Sequence, residues 1–381
     1  MRLGWAPAVL LAAIAGTAPA TAAQTDAPKP PAPSRIQVET VAAGLANPWG
    51  LQFLPDGRLL VTERAGRLRV VTRDGNIGPA VEGVPQVSAA GQGGLLDVLL
   101  AQDFATSGDI YLSYAEPRGN SANATAVARA RLRLDDKGGG RLEDLRVIFQ
   151  QQPAKASSLH FGSRLVWAPD GALFVTTGDR GIARDEAQMP KSLLGKVIKL
   201  TPNGAPASAE AAGPGWDPKI WSIGHRNIQG AAVDPATGLL WTVEHGARGG
   251  DELNRPERGK NYGWPVISYS NEYAGGPIGV PSKPGFEQPV YYWVPSIATS
   301  GMAFYSGELF PEWTGNIFVG GLQGVQLARL VLKDGEVVAE ETLLADLDHR
   351  IRDVRQGPDG ALWLLTDDAP DGRILRLTPG T

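Results

Sequence analysis

Six times along the chain, a turn rich in Gly, Asp or Pro precedes a continuous apolar run of β-forming residues. The first reads Pro55-Asp56-Gly57-Arg58-Leu59-Leu60-Val61-Thr62, and the others span 108–113, 169–176, 235–242, 315–319 and 358–366. Because the runs do not alternate apolar with polar, both faces of each strand are expected to be buried, sheet against sheet. A returning strand follows most of them, over 66–72, 126–134, 195–200, 325–332 and 372–377, through turns suited to tight hairpins. This repeat predicts an all-β chain folded as a six-bladed β-propeller of four-stranded antiparallel blades over residues 35–381. Five or seven blades would follow if one unit has been split or a degenerate one lies within 265–300. No stripe of 3.6-residue period supports a helical solenoid. The candidate strand Ile36-Gln37-Val38-Glu39-Thr40-Val41 is expected to close the ring by pairing into the last blade. Roughly 60 residues per unit exceeds the 40–45 or so of a minimal blade, which predicts long connecting loops on one face.

Composition agrees with many turns and short strands: Gly 48, Pro 30 and only 20% charged residues among 381. A net charge of -4 without basic runs gives no footprint for nucleic acid, and no segment suits a membrane span, so a small or neutral partner is expected. Residues 1–23 combine Arg2, a short apolar run and a small-residue series ending Ala20-Thr21-Ala22-Ala23, the pattern of a secretory signal peptide. Residues 24–34, with Pro28, Pro30, Pro31 and Pro33, read as a stiff tether. The expected location is therefore exported, periplasmic or secreted. With no cysteine, disulfides and thiolate metal sites are excluded.

The chemistry-bearing residues concentrate between Trp221 and Trp264, where two polar loops flank an apolar strand. Arg226, Asn227, Arg350 and Arg352 offer guanidinium and amide groups able to hold a carboxylated ligand; a surface salt-bridge ladder is the alternative. His160 would be the best general base if it faces the central pore, and otherwise a hydrogen-bonded structural residue. A zinc site from His160, His225 and His245 lacks the short spacing of a local motif. The glycine-rich acidic loop from Gly246 to Glu252, with Tyr262 beyond it, could present oxygen ligands to calcium, or be a surface turn with a solvated Asp251-Glu252 pair. No Gly-x-Gly-x-x-Gly opens a helix after a strand and no Walker loop exists, so nicotinamide, flavin and nucleoside triphosphate are poorly supported.

Taken in order, Asn47 to Gly50 with Pro55-Asp56-Gly57, Gly91 to Leu96, His160 to Asp179, Gly224 to Gly230, Glu244 to Trp264 and Arg350 to Asp367 resemble one family. It is the soluble sugar dehydrogenases dependent on pyrroloquinoline quinone, the glucose/sorbosone or aldose sugar dehydrogenase group, which are six-bladed propellers. The resemblance implies oxidation of the C1 hydroxyl of an aldose to the lactone, with electrons passed to an unidentified acceptor. By it, His160 would be the general base. Gln92, Arg226, Asn227, Tyr273, Arg350 and Arg352 would hold the quinone, with Asp179 and Asp367 near the site. Carbonyls of Gly246 and Ala247 would bind a Ca2+ that polarises the quinone, and Glu252 with Tyr262 would bind a second, structural Ca2+. Gln323 stands where the family usually has a Lys, one positive charge fewer. A monomer or homodimer is expected. The competing readings are a calcium-dependent propeller lactonase or hydrolase, and a non-catalytic propeller binding a glycan or protein at its rim.

Overall fold

The computed structural model describes residues 23–135 and 138–380. The expected signal peptide, residues 1–23, lies outside the described residues except for Ala23. Six four-stranded antiparallel sheets form the blades. The first comprises Pro48–Phe53, Leu59–Glu63, Arg67–Val71 and Ile77–Ala80; the second Leu95–Leu100, Asp109–Pro117, Asn123–Leu134 and Gly140–Gln150. The third comprises Gly162–Trp167, Leu173–Thr177, Lys196–Leu200 and Ile220–Ile223; the fourth Ile228–Val233, Leu240–Glu244, Asp251–Asn254 and Tyr291–Trp293. Thr299–Phe304, Ile317–Gly321, Gln326–Lys333 and Glu336–Leu343 make the fifth. In the sixth, Ile351–Gln356, Leu362–Thr366 and Gly372–Pro379 are completed by the N-terminal strand Ile36–Leu45. That strand pairs antiparallel from Ile36 against Pro379 to Leu45 against Gly372, so the ring is closed as the pattern anticipates and the count of six is settled.

The apolar runs read from sequence are the second strand of each blade, and they are buried throughout in Leu59–Glu63, Leu173–Thr177 and Ile317–Gly321. Burial on both faces follows from position: apolar clusters lie between adjacent blades, such as Leu60, Leu68, Leu95, Leu112 and Ala128 between the first and second. The innermost strands carry small residues where the blades converge, as in Thr-Ser-Gly-Met-Ala-Phe of Thr299–Phe304. In Ile228–Val233 and Thr299–Phe304 these small residues weaken the β propensity and blur the apolar pattern, whereas Leu95–Leu100 stays strongly apolar.

Each innermost strand shifts register against its neighbour near its start, for example between Pro48 and Leu51, Gly162 and Leu165, and Ile351 and Asp353. Such bulges re-aim side chains at one end of a sheet. A hydroxyl on the second strand then stitches each of the first three blades. Gly50 N–H donates to Thr62 Oγ1 (2.9 Å), Asp97 N–H to Ser113 Oγ (2.9 Å) and Arg164 N–H to Thr176 Oγ1 (2.9 Å). These hydroxyls donate onward to the next blade, to the carbonyls of Leu96, Ser163 and Ile228.

The proline-rich segment does not hang free of the body. Ala27 N–H donates to the Tyr291 hydroxyl (2.9 Å), Glu340 N–H to Pro28 O (2.9 Å), and Ser34 Oγ to Glu341 Oε2 (2.7 Å). Prolines lacking N–H groups still lend their carbonyls, which is how this stretch docks along the fourth and fifth blades.

Candidate functional site

Buried Asp97, Arg164 and Asp353 and half-buried Arg355 close the central axis partway along the innermost strands. Arg164 lies 3.1 Å from Asp97 and 3.0 Å from Asp353, and Arg355 lies 3.0 Å from Asp97 and 2.9 Å from Asp353. On the bulged side of this plug, a cavity of about 240 Å³ is lined by Trp49, Arg64, Gln92, Gln229, His245, Ala298, Leu322, Gln323, Arg350, Arg352 and Asp367. On the other side, an apolar mouth of about 390 Å³ is lined by residues such as Phe53, Trp167 and Phe304. The polar cavity is where the sequence-predicted groups gather. Arg164 also stacks its guanidinium 4.3 Å from the Trp49 ring, which joins plug to cavity floor.

His160 is held at the edge of this cavity. Its N–H donates to Gln92 Oε1 (2.9 Å), and its Nδ1 lies 2.6 Å from Asp179 Oδ1. Asp179 also accepts from Gly181 N–H (2.7 Å) and, through its other oxygen, from Trp264 Nε1 (2.8 Å). Burial opposes ionisation of Asp179, but its bond to His160 and the nearby charge of Arg226 hold it below the ordinary carboxylate value. An ionised carboxylate only accepts, so Nδ1 carries the proton and Nε2 keeps its lone pair. Burial pushes the His160 imidazole below its ordinary 6.5; Asp179 pulls upward and Arg226 adds to the depression. His160 adopts a left-handed φ of 50°, a backbone conformation costly for a non-glycine residue and concentrated at functional sites. Gly178 makes this close packing feasible, since a Cβ there would lie 2.1 Å from His160 O.

A chain of hydrogen bonds runs from Gly162, two residues past His160, to the arginines. Gly162 N–H donates to Asn227 Oδ1 (3.1 Å), Gln229 Nε2 donates to the same oxygen (3.2 Å), and Arg352 Nη1 donates to Gln229 Oε1 (3.1 Å). Arg352 continues to Asp367 (2.7 Å), which Arg350 approaches at 3.5 Å. Both guanidiniums therefore face the same carboxylate, although Arg350 lies just before the strand and its register shifts between Ile351 and Asp353. Asn227 Nδ2 and Arg352 Nε are buried without a partner. Unpaired buried donors beside a cavity fit an anionic or carbonyl-bearing ligand, because leaving them unmatched costs about 1–3 kcal/mol each.

Arg226 is fixed at both ends: its N–H donates to Glu244 Oε2 (2.6 Å) and its Nη1 to His245 O (3.1 Å). Glu244 in turn engages His225 Nδ1 at 2.8 Å, and His225 Nε2 meets Ser222 Oγ at 2.9 Å. His245 places Nε2 2.6 Å from Thr299 O, so that nitrogen is the donor, and burial brings its pKa down to about 3. The three histidines thus serve separate partners instead of converging on a zinc ion, and no cluster of three or more His, Asp or Glu suited to a metal occurs among the described residues.

The reading of residues 246–252 as a surface turn with solvated acids is corrected. Asp251 and Glu252 begin the third strand of the fourth blade, paired with Trp293 and Tyr292. Asp251 is buried and accepts from Gly246 N–H (2.8 Å) and from Ser296 Oγ (2.7 Å). Ala247 N–H donates to Ser270 Oγ (3.0 Å), so what this turn can still offer a ligand is carbonyl oxygen. A Cβ at Gly246 would lie 2.1 Å from Gly249 O, which is why the turn needs glycine. Asn254 Nδ2 bridges Glu252 Oε2 and Glu244 Oε1, both at 3.0 Å. Burial and the Glu244 charge push the Glu252 carboxyl well above its ordinary value. Buried Glu244 and half-buried Glu252 around one amide are a donor set suited to a hard cation. The Tyr262 hydroxyl is spent on Arg255 O (2.6 Å) and Glu257 N–H (3.0 Å), which leaves only its carbonyl for that role.

The structure therefore brings His160, Gln92, Arg226, Asn227, Arg350 and Arg352 together, with Asp179, Asp367 and Gln323 among them. It does not bring Tyr273, which is 72% exposed on the 265–280 loop and outside the cavity lining. Sequence reasoning overlooked Arg64, Trp49, Gln229 and Trp264. Gln229, in the bulge at the start of its strand, donates to Asn227 just before it, and Arg64 and Trp264 reach the site through loops.

Comparison with known proteins agrees. The family described as Glucose / Sorbosone dehydrogenase matches residues 45–376. Aldose sugar dehydrogenase YliI of Escherichia coli (strain K12) is 42% identical over 359 residues, 91% of this chain and 94% of that protein. A glucose dehydrogenase crystal structure superposes with TM-score 0.85 at 49% identity, covering 89% of this chain and 99% of the other. The pyrroloquinoline-quinone-bound aldose sugar dehydrogenase of Streptomyces coelicolor gives 0.75 at 32% identity, covering 91% and 99%. With a polar cavity at one end of a six-bladed ring, a buried His-Asp pair and a family match spanning nearly the whole propeller, this chain belongs to the glucose/sorbosone dehydrogenase family.

Proposed function

We propose that this protein oxidises the C1 hydroxyl of aldose sugars to the lactone with pyrroloquinoline quinone and Ca2+ as cofactors. The observation that carries the reading is that the cavity lined by Gln92, Gln229, Arg350 and Arg352 is tied through Gln92 to the His160-Asp179 pair and through Gln229 to Asn227. When bound, the quinone would accept the hydride and the calcium ion would polarise it as a Lewis acid. His160 Nε2 would take the hydroxyl proton, with Asp179 holding the tautomer and stabilising the imidazolium. Arg350, Arg352, Asn227 and Gln92 would hold the quinone's carboxylates and carbonyls. The fixed Arg226 guanidinium would face developing negative charge. Gly246 and Ala247 carbonyls would hold the ion on the cofactor, and Glu252 with the Tyr262 carbonyl the second ion.

The family and the arginine cluster favour this reading over a lactonase, which would not need guanidinium groups, and over a non-catalytic propeller. We further propose export to the periplasm, on the strength of the leader pattern in residues 1–23. Purified protein, given the quinone, Ca2+, an aldose and a redox dye, should reduce the dye only when the quinone is present. Absence of dye reduction across a panel of aldoses would overturn the proposal.

A further inference from the structure

Arg64 follows directly on the second strand of the first blade and lines the same cavity as Arg350, Arg352 and Gln323. Its backbone is fixed on both sides, N–H to Asn47 O (3.1 Å) and O from Leu95 N–H (3.1 Å). Its Nη1 donates to Gly91 O (2.6 Å), next to the Gln92 that receives His160 N–H. Its Nε is buried and has no partner. Burial lowers its basicity, Asp367 opposes this, and Arg352 and Arg350 add to it, so these charges act on one another across the cavity. Asp367 is the one acid in the cavity lining, and it is already shared by Arg352 and Arg350. Three guanidiniums around a single carboxylate leave the cavity with an excess of positive charge that only an anionic occupant balances.

We propose that Arg64 is a further anchor for the cofactor's carboxylates, supplying from the first blade the positive charge that the neutral Gln323 does not. This rests on the quinone reading above. Arg64 then acts in binding and orientation and takes no part in proton transfer.

The test is calorimetric titration of Ca2+-loaded wild type, Arg64→Gln, Arg64→Lys and Arg64→Gln/Gln323→Lys with pyrroloquinoline quinone. Benzene-1,3,5-tricarboxylate serves as a second, redox-inert probe, and ligand-free melting temperatures check folding. Arg64→Gln should bind the quinone on the order of tenfold to a hundredfold more weakly, Arg64→Lys should lose less, and the double variant should recover part. Equal affinity in wild type and Arg64→Gln overturns the inference and leaves the dehydrogenase reading standing. Equal loss in Arg64→Lys and Arg64→Gln marks a structural role through Gly91 and also overturns it. If wild type binds the tricarboxylate through Arg64 but not the quinone, Arg64 is a general anion site, and both this inference and the dehydrogenase reading fall. Binding of neither probe by wild type overturns both.

Discussion

A base serves a reaction only if its lone pair is free, and at His160 the Asp179 carboxylate fixes that by occupying Nδ1 at 2.6 Å. Replacing His160 with Ala should cut kcat by about 10²–10⁴-fold while quinone affinity stays within a few-fold, read by steady-state kinetics beside a binding titration. The pH dependence follows from the direction of the shift. Because burial depresses the folded imidazole below 6.5, it stays neutral as pH falls through 6.5 and gains its proton only at lower pH. A pH profile of kcat/KM should hold level through 6.5 and decline on the acid side; a decline centred above 6.5 would contradict this assignment. The same shift makes His160 destabilising below its unfolded pKa, where the unfolded chain binds a proton that the folded one does not.

At the scale of elements, the loop between the second and third strands of the third blade carries Asp179 at one end and Lys196 just past the other. Buried Lys196 donates to the carbonyls of Glu186 (2.8 Å), Ala187 (2.9 Å) and Leu194 (2.6 Å), three acceptors for the three N–H groups of an ammonium. This pins the short helix Arg184–Gln188, whose Gln188 Nε2 donates to Trp264 O (2.7 Å). Trp264 then donates to Asp179, so the loop is a bracket for the His160-Asp179 pair. Lys196→Met keeps the volume but leaves Leu194 O without a donor and takes one of two donors from Glu186 O and Ala187 O, which keep Met189 N–H (3.0 Å) and Gly224 N–H (3.0 Å). It should destabilise the protein by about 2–4 kcal/mol in urea unfolding and lower kcat through loss of His160 alignment.

For the whole molecule, closure depends on one strand from the far end of the chain. Residues 36–45 complete the sixth blade, with Leu45 and Ala42 buried beside Ile374 and Leu365. Deleting residues 24–45 leaves the edge of Gly372–Pro379 unpaired and should abolish a single cooperative thermal transition. Deleting only 24–34 removes the docking contacts and should lower Tm by a few degrees with the transition intact. Equal behaviour of the two truncations would refute the closure argument. The ionic plug of Asp97, Arg164, Asp353 and Arg355 gives the ring a polar centre and two separate mouths. Small ligands reaching His160 must therefore enter from the bulged side.

While the count against five or seven was settled by the sheets themselves, the amino-acid pattern alone determined the class, the repeat that favours six blades and the closing strand. These rest on local information: turn residues, continuous apolar runs, and the Thr or Ser that ends several of them. The pattern also singled out His160, Arg226, Asn227, Arg350 and Arg352, since few residue types can take a proton or clamp a carboxylate. Tertiary structure alone decided what shares a cavity. It brought in Arg64 from a turn with no distinguishing motif, placed Asp251 and Glu252 in a strand, left Tyr273 in solvent, and assembled the plug from three blades. The physical reason is that a propeller builds its site where distant strand starts meet, and the contacts that aim those side chains are long-range bonds across blades which no local stretch of sequence encodes.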